Sequence, residues 1–389
     1  MRRHLKIFLS LSFVLSGCAT LPAAIDRAAE APALRGAIWG IEVQDDSGRV
    51  LYERNGHALL MPASNRKLFA ASTAINCFGL DHQFATELWL DGSNVVIRGG
   101  GDPSLGGRWA ADRHSVFATF VDALRGRGIH SVDDVIADPS MFDRDTIPGS
   151  WKFGNLGSDY AAPVDALAYH ENSADGMAIA DPALYAAQAF RDALRDGGIE
   201  VRGTPWVSTI PRMWQERIAI IESPFLSQLA ATMLKVSQNL YAEMLFKATA
   251  GTYAGAESLE RMFLTNEVHV PEKEFRFVDG CGLAPDDLVT PAAIVTLLRW
   301  MNEPPRRGVY WSLLATPGEE GTLRRRVVPL ASRLRGKTGT IAGVNALSGI
   351  IAGTHGGFRY FSIIINHHIA ESAIATRAID AMVHAIADF

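Results

Sequence analysis

The chain is expected to fold as an α+β protein: an antiparallel sheet flanked by helices, with an inserted α/β subdomain. Three observations predict this. GAIWGIEVQ and RVLYERN alternate apolar and polar residues around Asp45-Asp46-Ser47-Gly48, a hairpin pattern near the start. A block of helical patterns follows residue 223, and then come two strong strand runs, LRGKTGTIAGVNALSGIIAG and FRYFSIIIN, joined by Thr354-His355-Gly356-Gly357. Residues 85–222 between them carry strands and helices of their own. With 389 residues, 48% of them hydrophobic, the chain can bury a large core and makes about two domains.

Each element can be read in order. Arg2, Arg3 and Lys6 precede an apolar run, IFLSLSFVLS, too short to span a bilayer, so residues 1–17 are expected to be a signal peptide. The run ends in Leu15-Ser16-Gly17-Cys18, which resembles the bacterial lipobox, and this makes Cys18 the candidate lipid anchor. Ala19 after the Cys favours the outer membrane. The Ala- and Pro-rich residues 18–33 read as a tether. Residues 34–84 and 223–389 then form one discontinuous catalytic domain, split by the insertion at 85–222. Within that insertion FATELWL and NVVIRGG read as strands, and SVFATFVDALRGRG and ALYAAQAFRDALRDGG as amphipathic helices ended by Gly. Gly99-Gly100-Gly101 lacks the flanking residues of a phosphate loop and reads as a turn. After the insertion, SPFLSQLAATMLKVSQNLYAEMLFKATA is a helix–loop–helix, and ESAIATRAIDAMVHAIADF closes the chain as a helix.

The chemistry is carried by three short motifs in order. Ser64 and Lys67 stand three apart, placing hydroxyl and amine on one helix face. Ser237-Gln238-Asn239 and Lys337-Thr338-Gly339 follow. The chain has 30 Arg and only 7 Lys, yet both motif cations are Lys, and no other Ser stands three residues before a Lys. Arg cannot release its proton under working conditions, whereas Lys can, so a proton-shuttling site must use Lys. Ser64 is therefore the candidate nucleophile and Lys67 its base, held neutral by the nearby cation Lys337. Ser237 would relay the proton to the leaving amine, and Asn239 would position the substrate amide and Lys67. Lys337 and Thr338 would hold a terminal carboxylate, small Gly339 would let substrate lie along the strand, and the Ser64 and Thr340 N–H groups would form an oxyanion hole.

Other classes fit poorly. A net charge of −5 argues against nucleic-acid binding. Neighbouring His367 and His368 point to opposite faces of a strand end, and no Cys or carboxylate spacing completes a metal site, so neither metal nor cofactor is expected. Cys77 lies about 20 Å along its helix from Ser64, too far to bridge to Cys281 if that residue sits beside the site, so two free thiols are expected.

The S-x-x-K, S-x-N and K-T-G triplet, with PASNRKL, GGGDPSL, Asp279-Gly280-Cys281-Gly282-Leu283 and PGEEGTLRRR, resembles the D-alanyl-D-alanine carboxypeptidase/endopeptidase family, the low-molecular-mass class C penicillin-binding proteins. The resemblance implies a β-lactamase/transpeptidase-like fold and cleavage of D-Ala–D-Ala bonds or cross-bridges in peptidoglycan stem peptides, with β-lactams as inhibitors. It also implies that Cys281 and Leu283 line a pocket for the stem-peptide side chain. Two departures stand out: the insertion is short after GMAIADP, and Pro285 stands where the family's D-G-S-G-L-S-R has Arg. A serine β-lactamase or esterase on the same fold, and a non-catalytic wall-binding lipoprotein, are the alternatives.

Overall fold

Two five-stranded sheets organise the chain. The computed structural model describes residues 20–208, 216–354 and 356–389. In chain order come α1 (Leu21–Ala29), β1 (Ile38–Asp45), β2 (Val50–Arg54), α2 (Lys67–Phe78), β3 (Ala85–Asp91), β4 (Asn94–Arg98), α3 (Ala118–Gly126), β5 (Val135–Asp138), α4 (Pro182–Asp196), β6 (Pro205–Val207) and β7 (Glu216–Glu222). Then follow α5 (Leu226–Lys235), α6 (Asn239–Ala248), α7 (Tyr253–Phe263), α8 (Pro291–Met301), α9 (Arg307–Leu313), β8 (Leu334–Ile341), β9 (Val344–Ala352), β10 (Phe358–Asn366) and α10 (Ser372–Asp388).

The first sheet has the order β8-β9-β10-β1-β2 and is antiparallel throughout. Its central strands β9 and β10 are almost wholly buried because α8 packs on one face and α10 on the other. The second sheet, β6-β5-β4-β3-β7, is mixed: β6, β5 and β4 run parallel, while β3 pairs antiparallel with both β4 and β7. Glu222 on β7 lies opposite Ala85 on β3, so the chain leaves for this sheet and returns from it at neighbouring points. Such adjacency lets a domain be inserted without disturbing its host.

Two expectations are corrected. Residues from 20 onward do not form a tether: α1 lies against α10, burying Leu21, Ile25 and Ala29. These three recur every four residues, one helix face, and Thr20 caps the helix with Pro22 in its first turn. The run 334–352 is two strands, because the backbone reverses at Ala342-Gly343, where Gly343 takes φ +75°. The proposed lipobox, with Cys18, lies outside the described residues. No described helix is long and apolar enough to cross a membrane.

Candidate active site

Ser64 sits in a tight 3₁₀ turn, Ala63–Arg66, that leads directly into α2. The turn is pinned to the first sheet. Asn366 bonds both the N–H and the carbonyl of Met61 (2.9 and 3.1 Å), and Asn65 donates to Ser348 Oγ (2.8 Å). Ala63 has φ +47°, a costly conformation for a residue with a Cβ, immediately before the motif serine. The two neighbouring motif glycines are needed for space. A Cβ on Gly282 would lie 1.9 Å from the Ala63 carbonyl, and one on Gly339 would lie 2.7 Å from the Pro62 carbonyl.

Lys67 is fully buried. Its Nζ lies 2.9 Å from Ser64 Oγ, 2.6 Å from Asn239 Oδ1 and 2.9 Å from the Cys281 carbonyl. A neutral amine has two N–H bonds and one lone pair. Donation to Asn239 and Cys281 therefore leaves the lone pair facing the serine hydroxyl. Burial is the largest cause holding Lys67 below the ordinary value of 10.5, and Arg66 pushes the same way while Cys281, Asp279 and Glu243 oppose it. This corrects the expected cause: burial comes first, not the charge of Lys337. Lys337 is in turn held well below 10.5, by burial first and then by the charge of Lys67.

Lys337 is also fully buried, donating to Ser237 Oγ (2.8 Å) and the Thr338 carbonyl (2.7 Å). Ser237 connects α5 to α6 and itself has φ +66°. β8, which carries Lys337, Thr338, Gly339 and Thr340, is an edge strand. Gly336 exchanges both backbone bonds with Ala315 on that edge (3.1 Å each). Side and bond directions repeat every two residues, so Thr338 and Thr340 turn their N–H and C=O groups toward the same open edge.

A cleft of about 480 Å³ opens above these groups. It is lined by Ser64, Ser237, Asn239, Cys281, Gly282, Leu283 and Thr340, together with Lys152, Asn155 and Tyr160 from the segment between β5 and α4. Lys67, Lys337, Thr338 and Gly339 lie beneath this surface rather than on it. Lys152, Asn155 and Tyr160 were missed in the sequence because they carry no local pattern and reach the cleft only through the fold.

The Asp279–Ala284 loop is folded around one carboxylate. Asp279 accepts from the N–H groups of Cys281, Gly282, Leu283 and Ala284 at 2.7–3.1 Å and from the Trp151 indole at 2.9 Å. Burial would raise its pKa, but the hydrogen bonds from Asp287, Gly282 and Trp151, with the charge of Arg66, bring it below 3.8. Burial and Asp279 together drive Asp287 well above the usual range. This loop presents the Cys281 carbonyl to Lys67. The thiol is not a substrate-facing group: Cys281 is 1% exposed and Sγ lies 3.7 Å from Asp279 Oδ2. Burial pushes that thiol far above its usual range. Cys77 is exposed, and both cysteines are free.

Among the described residues, Glu243, Asp279 and Cys281 are the one group whose donor atoms are close enough to share a metal ion. Those atoms are already engaged: Asp279 accepts the loop N–H groups, and both Glu243 oxygens accept from Gly280 N (2.9 and 3.0 Å). His368 is likewise committed, to Asn345 Oδ1 (2.8 Å) and the Ala370 carbonyl (3.1 Å).

A serine hydroxyl on a buried lysine, under an edge strand, is the arrangement of an active-serine acyl-transfer enzyme. The sequence profile of the D-Ala-D-Ala carboxypeptidase 3 (S13) family matches residues 21–175 and 168–388, and the chain belongs to that family. It is a serine-type D-Ala-D-Ala carboxypeptidase, a low-molecular-mass class C penicillin-binding protein. A D-alanyl-D-alanine carboxypeptidase of Actinomadura sp. is 27% identical over 460 aligned positions, covering 94% of this chain and 84% of the relative. That alignment is longer than this chain, so the relative carries residues with no counterpart here. Penicillin binding protein 4 from Haemophilus influenzae has the same fold, with a TM-score of 0.82 at 19% identity over 92% of this chain and 98% of that one. A predatory peptidoglycan endopeptidase from Bdellovibrio bacteriovorus aligns with a TM-score of 0.61 at 15% identity over 90% and 93%.

Proposed function

We propose that Ser64 attacks the carbonyl of the penultimate D-Ala in a stem peptide, with Lys67 as the base, to form an acyl-enzyme that water then releases. The single observation that carries this reading is the position of Lys67 Nζ, 2.9 Å from Ser64 Oγ and fully buried. The proton that Lys67 takes from Ser64 passes by way of Ser237 to the leaving amine, and Lys337 with Thr338 holds the terminal carboxylate. The N–H groups of Ser64 and Thr340 receive the carbonyl oxygen as it gains charge. Cys281 and Leu283 contribute loop backbone and an apolar wall to the stem-peptide side. β-Lactams would be trapped by the same attack. The leaving group need not be free D-Ala, so cross-bridges are a second substrate class on the same chemistry.

A serine β-lactamase needs a base aimed at the ester to release it quickly. Glu243, a buried acid beside the Asp279 loop, is raised to about 7 by burial and then by Asp279. It is fully buried and both its oxygens face Gly280 N, which favours the slow release of a penicillin-sensitive peptidase.

The basic start, short apolar run and Cys18 support a periplasmic protein held by lipid to the outer membrane. Cys18→Ser should then move the protein to the soluble fraction, and continued membrane association would refute the anchor. The activity is tested by incubating the enzyme with a muropeptide pentapeptide and, separately, a cross-linked dimer. Loss of one D-Ala from the pentapeptide is expected. An unchanged pentapeptide would overturn the reading.

A further inference from the structure

The loop between α5 and α6 is held from outside by a side chain that none of the three motifs contains. Gln238, the middle residue of the second motif, donates through Nε2 to Glu171 Oε2 at 2.8 Å. Its Oε1 accepts from Leu240 N at 2.9 Å, capping α6. Glu171 is fixed in turn by Arg108, whose Nε lies 2.6 Å from Oε1 and whose Nη2 lies 3.3 Å from Oε2.

The support behind Glu171 is rigid. His170, Glu171 and Asn172 are three successive non-glycine residues with φ near +50° (51°, 56° and 50°). Such conformations persist where the surroundings over-determine them, and they cluster at functional sites. Here Asn172 is fully buried, donating to the Pro163 carbonyl (2.9 Å) and accepting from Tyr169 N (3.1 Å). Tyr169 is buried against Phe117, with ring centroids 5.4 Å apart. A second tie runs from the same region: Asn239 Nδ2 donates to the Tyr160 carbonyl at 2.7 Å, which orients the amide so that Oδ1 faces Lys67.

We propose that Glu171 is a positioning residue for the reaction at Ser64. It acts through Gln238 to hold Ser237 and Asn239 in register with Lys337 and Lys67. Ser237 is left-handed and lies next to Gln238, so a shift of Gln238 is passed directly to both hydrogen bonds that reach the lysines. This inference rests on the acyl-Ser64 reading above and adds a residue from the second-sheet region to it.

The test compares Gln238→Glu, Glu171→Gln and the double variant by penicillin acylation rate, by kcat and KM for a pentapeptide, and by thermal midpoint. Gln238→Glu keeps an oxygen for Leu240 N, and the helix start favours the new charge. It sets two carboxylates face to face at Glu171, isolating the tie. Acylation and kcat are expected to fall about tenfold or more, the scale that a misplacement of under 1 Å produces, with KM and midpoint little changed. The double variant restores a donor–acceptor pair with the roles exchanged, and it should recover most of the rate. Should Gln238→Glu not fold, Glu171→Ala is measured instead, with the same expected loss in kcat and acylation. Wild-type acylation in Gln238→Glu, or a double variant no faster than Gln238→Glu, overturns the proposal. Failure of the wild-type enzyme to form any penicillin adduct would count against the acyl-Ser64 reading itself and is scored separately.

Discussion

Arg66, between the motif serine and lysine, forms a fully buried two-pronged ion pair with Glu260 of α7, both contacts at 2.8 Å. Its Nε reaches the Asp279 carbonyl at 2.7 Å, and its guanidinium lies 4.1 Å from the centre of the Phe277 ring. One side chain thus ties the start of α2 to α7 and to the loop that contacts Lys67. Removing one partner leaves an unpaired buried charge, so Glu260→Ala should cost about 3–5 kcal/mol. Urea unfolding measures it, and a loss below about 1 kcal/mol would show that the pair is not what locks this corner.

The pH dependence follows from Lys67. Its pKa lies below 10.5, chiefly because of burial. Raising pH converts it to the free base, so acylation should rise with pH along an acid limb whose midpoint falls below the ordinary lysine value. The stability sign agrees: in the window between the lowered folded pKa and 10.5 the unfolded chain binds more protons, so this group makes folding more favourable as pH rises. Lys67→Arg should be nearly inactive at every pH, since a guanidinium keeps its proton. A pH-rate profile recorded on both proteins decides the point, and appreciable acylation by Lys67→Arg would name another base.

The two thiols should differ sharply in reactivity. Cys77 is exposed and Cys281 is 1% exposed, with a thiol that burial keeps protonated. Iodoacetamide should label Cys77 first in the native enzyme and reach Cys281 only on unfolding. Peptide mapping after a timed pulse checks this, and comparable native labelling of Cys281 would place its side chain in the cleft after all.

Much of this molecule can be read from residue types, and the rest fails for physical reasons. Two motif lysines in an arginine-rich chain single out the amines that the fold buries against Ser64 and Ser237, and alternation in β1 and β2 betrays the hairpin. The helix Leu21–Ala29 was hidden because its Ala and Pro content mimics a linker, although Leu21, Ile25 and Ala29 mark its buried face. The hairpin at Ala342-Gly343 was hidden inside one continuous apolar run, where only a glycine marks the reversal. Glu171 and Tyr160 reach the second motif across 67 and 79 residues of chain, a distance over which no spacing rule operates. Which group of Cys281 meets the site has no signature in the sequence: its carbonyl faces Lys67, while its thiol turns inward.

The central claim is that Ser64 is the nucleophile. Mass spectrometry of the intact enzyme after incubation with benzylpenicillin, with peptide mapping of the product, tests it most directly. The account predicts a stable adduct of one penicilloyl group on Ser64, absent from Ser64→Ala, which should also lose cleavage of the pentapeptide. An adduct on any other residue, or one that persists in Ser64→Ala, would contradict it.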